Sequence, residues 1–207
     1  MENKRTVRRS IKELQRIKTW QLVLLVILFG LISATFLRLN NIGMIERRTA
    51  VLNADEQGDA TAIQQRLYDL QRHSGTHMNA DSGVVYLEGQ YRRDTQKAIQ
   101  MASASSKDNI NAKADATCKQ QYSGYSQAYV QCFASELAKY PAGYYGSKKA
   151  QLPDPSLYRH EFASPLWSPD FAGFSLLISA FLGLLIFLRL LGLALLRMML
   201  QKHYQSI

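Results

Sequence analysis

The chain predicts an all-α fold in which two transmembrane helices flank a small, mainly helical extracytoplasmic domain. Three observations carry that expectation. Two runs of eighteen uncharged, largely apolar residues stand near the ends, WQLVLLVILFGLISATFL at 20–37 and FAGFSLLISAFLGLLIFL at 171–188. At about 1.5 Å per residue, each makes roughly 27 Å of helix, close to the thickness of a bilayer's hydrocarbon core. All five prolines fall between 141 and 169, which leaves 38–140 free to be helical.

Charge orients this layout. Residues 1–19 carry seven basic residues against Glu2 and Glu13, and the end of the chain carries Arg189, Arg197 and Lys202 with no acid. The 38–170 segment is nearly balanced, with fifteen basic and fourteen acidic residues. The formal net charge of +9 therefore sits at the two ends and reads as a positive-inside signal. It predicts a multi-pass protein of the cell (inner) membrane with both termini cytoplasmic. A nucleic-acid partner is not expected, because the near-neutral middle offers no basic patch to meet phosphates.

The elements follow in order. Residues 1–19 form a basic tail suited to the cytoplasmic face and its anionic lipids. The run at 20–37 is read as an uncleaved anchor, since a cut after Ala34 would need a small residue where Ile32 stands. Its helix is expected to continue through Ile42 to Ala54, until DEQGD interrupts it at Gly58. Asp59 then caps a helix in which Ile63, Leu67 and Leu70 recur at helical spacing. HSGTHMNADSG reads as a loop.

A helix over about 87–105 follows, with Leu87, Tyr91, Thr95, Ala98 and Ala102 on one face. Val84 to Leu87 has strand character but no evident partner strand. Ser106 or Asp108 is the expected cap of a helix beginning near 110. The proline-bearing 141–170 segment should be extended and looping, and 171–196 is the second span, followed by a short tail at 197–207.

The only two cysteines are Cys118 and Cys132, with thirteen residues between them in TCKQQYSGYSQAYVQCF. One straight helix would hold them about 21 Å apart, whereas a disulfide needs Cα atoms within about 7 Å. SGYS at 123–126 offers a turn, so 110–122 and 126–140 can fold back as a helical hairpin with the cysteines facing. A disulfide is the favoured reading. Free thiols, intermolecular pairing and a metal site stay open behind it, the last weakened by the lack of a CxxC pair or a nearby histidine.

Other constellations give less. His73 and His77 have the i, i+4 spacing of helical metal ligands, but Ser74 and Gly75 argue against a helix there and for two loop histidines. His160 and Glu161 combine a base and an acid, yet neighbours on an extended chain point in opposite directions. No GxSxG, SxxK, phosphate loop or dinucleotide fingerprint is present. The expectation is no catalytic residue, no cofactor and no metal.

In the spans, Gly30 and Ala34, and Ser175, Ser179 and Gly183, form small-residue rows that let helices approach. Trp20, Arg38, Trp167, Arg189 and Arg197 are the candidate membrane-interface residues, with Arg189 expected to snorkel to water at the inner end of its span.

LYRHEFASPLWSPDFAGFS, the basic start leading into IKTWQLVLL, and FLRLNNIGM after the first run resemble an uncharacterised family of small two-pass membrane proteins from reduced-genome bacteria. The resemblance implies a bacterial membrane location and no site residues. In layout the chain is also similar to the bitopic inner-membrane assembly proteins of type IV pilus machines, from which it departs by its second span. The function expected from these readings is that of a non-enzymatic scaffold or assembly subunit of a cell-envelope complex. Its partners would be the lipid bilayer, another envelope or membrane protein, and a second copy of the chain. Eleven tyrosines, most of them in the central segment, suit a binding surface. The alternative is a two-span sensor that signals through a separate cytoplasmic partner.

Overall fold

The computed structural model describes residues 18–104, 109–141 and 149–205 of the 207-residue chain. Most of the expected basic tail and the expected caps Ser106 and Asp108 lie outside the described residues, as does part of the proline-bearing segment. The chain is mostly helical, with 75% of residues in helices and 4% in strands. In order come α1 (Thr19–Gln57), α2 (Ala60–Thr76), β1 (Val84–Tyr86), α3 (Glu88–Ser103), α4 (Ile110–Gln121), α5 (Gln127–Ala138), a 3₁₀ turn (Pro155–Tyr158), β2 (Arg159–Glu161) and α6 (Phe171–Gln205). Among the described residues, two helices, α1 and α6, are long and apolar enough to cross a membrane.

The chain divides into two compact units. The first takes the chain up to Gly43, Gly75–Asp81, and Ser164 onward. The second takes Met44–Ser74 and Ser82–Ala163.

In the first unit the helices turn apolar side chains outward. They meet through a few specific contacts. Ser33 Oγ donates to the Ala172 carbonyl at 3.4 Å, and Phe36 stacks on Phe171 with ring centroids 5.2 Å apart. Asn40 Nδ2 donates both to the Met78 carbonyl (3.2 Å) and to Asp170 Oδ2 (3.0 Å). Asn79 Nδ2 reaches the Leu37 carbonyl at 3.1 Å, from a backbone with φ +60°, a left-handed conformation that asparagine tolerates. Ser168 Oγ accepts from the Met78 N–H at 3.1 Å. Asp170 caps α6 by accepting from the Gly173 N–H at 2.9 Å. Burial alone would raise the Asp170 pKa. The hydrogen bonds from Gly173, Asn40 and Ser168, with the nearby charge of His77, outweigh burial and hold it below the usual value.

The second unit has a conventional core. Ile99, Ile110, Ala114, Cys118, Tyr129, Phe133 and Leu137 form one buried cluster where α3, α4 and α5 meet. Asn109 is the observed cap of α4, its side chain accepting from the Asn111 N–H at 2.9 Å. Ser126 caps α5 by accepting from the Tyr129 N–H at 3.3 Å. The buried Asn111 also ties a later segment to the hairpin, because its Oδ1 accepts from the Ala150 N–H at 2.9 Å.

Two details depart from the sequence reading and a third follows it. First, α2 runs on to Thr76, through the expected loop residues Ser74 and Gly75. Ser74 is buried on the face that already buries Ile63 and Leu70, and one glycine costs a helix only about 1 kcal/mol. Second, β1 has a partner. It pairs antiparallel with β2 in the register Val84↔Glu161, Val85↔His160, Tyr86↔Arg159. Third, α1 ends where the sequence places its stop. Gly58, at φ +76°, donates its N–H back to the Ala54 carbonyl (3.1 Å), a close for which glycine lacks the usual Cβ penalty.

Candidate functional site

The second unit contains a groove of about 310 Å³ between α2, the start of α3 and the 155–160 segment. Each wall has an identifiable cause. Asp59 Oδ1 accepts from the N–H groups of Thr61 and Ala62, both at 3.0 Å, and so starts α2. From there Ala60, Ile63, Gln64 and Leu67 fall at i, i+3, i+4 and i+7, which places all four on one helix face lining the groove.

The second wall, Leu87 and Gln90, is set by a long-range cap. Leu87 makes no side-chain cap for α3. The buried Asp55 replaces it, accepting from the N–H groups of Gly89 (2.8 Å) and Gln90 (2.6 Å). Arg93 closes the knot, donating to the Asp55 carbonyl at 2.7 Å and to its Oδ1 at 3.0 Å. A Cβ on Gly89 would lie 2.7 Å from the Asp55 carbonyl oxygen, so the approach needs glycine.

The third wall begins at Asp154, whose Oδ1 accepts from the Ser156 N–H at 2.9 Å with Pro155 following it. This turn presents Leu157 with 72% of its surface exposed. Tyr158 behind it is buried, packs edge-on to Tyr91 at 5.3 Å, and donates its hydroxyl to Asp94 at 3.0 Å. Burial first, then the hydrogen bond and charge of Asp94, push its pKa up to about 12.

His160 completes the wall. Burial lowers its pKa below 6.5, so the ring is neutral at pH 7 and offers one donor and one acceptor. In β2 it alternates with Arg159 and Glu161, which share the other face and approach each other at 3.5 Å. The acid and base of the RHE triplet are therefore turned apart. The groove holds apolar side chains, two primary amides and a neutral imidazole, with no Asp, Glu, Lys or Arg among its lining residues. It is chemically suited to hold an uncharged group by amide-type hydrogen bonds and apolar contact.

Away from the groove, Cys118 and Cys132 are bonded, with Cα atoms 5.9 Å apart across the α4–α5 hairpin. Cys118 is fully buried, and Tyr129 beside it donates its hydroxyl to Asp115. Burial and that hydrogen bond push the Tyr129 pKa upward. His73 lies in the last turn of α2, and His77 follows its end with Nδ1 2.9 Å from Thr76 Oγ1.

The membrane-helix candidates are placed unevenly. Gly30 faces Ser179, whose Oγ would be 3.9 Å from an added Cβ, while Gly183 has nothing within 4 Å. Ser175 is buried and donates to the Phe171 carbonyl at 2.6 Å. Ala34 is exposed; its neighbour Ser33 makes the contact with α6. Trp20, Arg38, Trp167 and Arg197 are exposed. Arg189 is buried, with 9% exposure, instead of extending into open solvent.

Sequence reasoning found Ile63 and Leu67 but not the groove they line. Gln64 and Gln90 carry no periodic signal, and Leu157 becomes a rim residue only through the Asp-Pro-Ser turn before it. Compared with family models, curated proteins and solved structures, the chain matches none of them.

Proposed function

We propose that the chain is a two-span membrane protein with both termini cytoplasmic, a non-enzymatic scaffold or assembly subunit of a cell-envelope complex. Its extracytoplasmic second unit docks an uncharged, apolar segment of another envelope protein. The observation that carries this reading is the groove: apolar walls, the amides of Gln64 and Gln90, a neutral His160, and an exposed Leu157 at its rim. Tyr68, next to Leu67 on α2, is 64% exposed, and large apolar or aromatic side chains of this kind serve as anchors in protein interfaces. The amides match the donors and acceptors of a peptide backbone. The missing formal charge disfavours an acidic or basic partner segment, which would lose its hydration without gaining an ion pair.

A second reading, the two-span sensor, is favoured by one observation. The cavity volume falls at the lower edge of the range of roughly 300–1,000 Å³ typical of small-ligand sites.

The test is photo-crosslinking in intact cells from a benzophenone amino acid at Leu157 or Gln64, with Thr117 on α4 as control. The expected result is a discrete adduct with one membrane or envelope protein from the groove positions and none from Thr117. Adducts from Thr117 but not from the groove would overturn the docking site. No protein adduct from either groove position, together with protection of the chain against heat by a small polar metabolite, would favour the sensor.

A further inference from the structure

Arg189 carries a charge that no Asp or Glu among the described residues pairs with. Its Nε and Nη1 are shielded from solvent and have no hydrogen-bond partner among the described residues. A guanidinium keeps its proton at any accessible pH, so it cannot relieve the cost of burial by neutralising. Neither 18–37 nor 171–207 contains an Asp or Glu. No side chain of these two segments can therefore supply the anion.

The register of the helices fixes the depth at which it would be met. Ser33 bonds to Ala172, and Gly30 faces Ser179, so α1 and α6 run antiparallel, with the Gly30–Ser179 pair the nearer of the two to Arg189. Arg189 lies about 15 Å along α6 from Ser179. The same distance back along α1 from Gly30 reaches Trp20, which is 57% exposed and stands two residues after Lys18 at the start of that helix. In a bilayer this is headgroup depth, at the end of the spans that carries an excess of basic residues.

We propose that Arg189 anchors a binding site for the phosphate of an anionic membrane lipid. Lys18 supplies a second cation and Trp20 an interfacial wall with an indole N–H. A phosphodiester fits because its two free oxygens can accept the paired N–H donors of a guanidinium, while its acyl chains occupy the apolar surface of the helices. The inference rests on the membrane-spanning reading and is independent of the groove.

The experiment uses the full chain, purified in detergent and placed in nanodiscs of phosphatidylcholine with and without phosphatidylglycerol. Retained lipid is counted by native mass spectrometry after mild re-extraction. The wild type should keep phosphatidylglycerol in preference to phosphatidylcholine. R189Q should reduce that preference roughly tenfold, as expected for a lost charge-assisted contact. R189K should fall between them, and R197Q should change it little, since Arg197 is exposed.

Equal retention by wild type and R189Q, both with unchanged helical circular dichroism, would overturn the proposal and leave a carboxylate such as Glu13 or Glu2 as the counterion. Protection of the wild type against heat by inorganic phosphate, as strong as that by phosphatidylglycerol, would overturn the lipid source. Alkaline extraction of membranes separates this failure from the broader one. A chain released into the soluble fraction overturns the membrane-spanning reading, whereas a chain that stays in the membrane and shows no lipid preference overturns only the Arg189 site.

Discussion

The two units bury opposite kinds of surface. In the second, Ile99, Tyr129 and Phe133 are fully buried and the polar groups lie around them. In the first, Leu31, Phe181 and Phe187 are each at least 60% exposed, while Ser33, Ser168 and Ser175 are buried. The contrast teaches what each unit requires of its solvent. The second unit gains its stability by removing apolar side chains from water. The first cannot do so, because its apolar surface faces outward, and its specificity rests on Asn40, Asn79, Ser168 and Asp170 at one end of the helices. Such an arrangement makes physical sense in a hydrocarbon environment, where side-chain hydrogen bonds and close packing replace the hydrophobic drive.

Both tryptophans lie in the first unit, and among the described residues every tyrosine except Tyr204 lies in the second, so spectroscopy can follow the units separately. The largest effect should come from Phe133→Ala, which leaves a cavity in the second unit's core and costs about 3–5 kcal/mol. Near-ultraviolet tyrosine signal should be lost at a lower temperature while tryptophan emission holds. A parallel shift of both signals would mean that the units do not unfold independently.

Next comes the disulfide. Replacing Cys118 and Cys132 by serine should cost about 3 kcal/mol, again in the tyrosine signal alone. A smaller effect is expected in the first unit. Asn40→Ala removes two donated hydrogen bonds and should cost about 1–2 kcal/mol, read as a shift in the thermal transition followed by tryptophan emission.

The smallest effects are expected from pH, and they should divide the units. Asp170 has a folded pKa held below 3.8, so its contribution is present above that value and lost as pH falls through the folded pKa. Tyr158 has a folded pKa near 12 against 10.0 for a free phenol, so its contribution is intact below pH 10 and lost as pH rises toward 12. Acid should loosen the tryptophan-bearing unit and alkali the tyrosine-bearing one. Hydrogen exchange at Gly173 and at Tyr158 across these windows measures both, and the reverse order would contradict the assignment.

Features set by local pattern could be read from the sequence. Eighteen uncharged residues in a row make a helix that can cross a membrane whatever the rest of the chain does. The α4–α5 hairpin was legible because two cysteines flank a turn and geometry excludes one straight helix. Interactions between distant residues were not legible. Nothing near Val84 announces β2, and nothing near Leu87 announces that Asp55 will cap the helix that follows. Ser74 and Gly75 look like loop residues until the burial of Ser74 beside Leu70 overrides their weak preference. The groove joins three such distant pieces, so Ile63, Leu67 and Leu87 could be placed on helix faces and His160 singled out in advance, but none of them as a wall of one groove.

The β1–β2 ribbon has a consequence for the order of assembly. The two strands stand on either side of the whole α3–α5 segment, and their pairing closes a long loop, with an entropic cost that depends on how much of the intervening chain is still free. The cysteine-bridged hairpin is a short-range structure lying inside that loop. Once formed, it removes much of the slack, and the strands then meet across a nearly preorganised stretch. As the chain emerges in synthesis, the hairpin can be complete at Ala138, whereas the ribbon must wait for Glu161. The groove, which needs Leu157 and His160 in place, is therefore the last part of this unit to take shape.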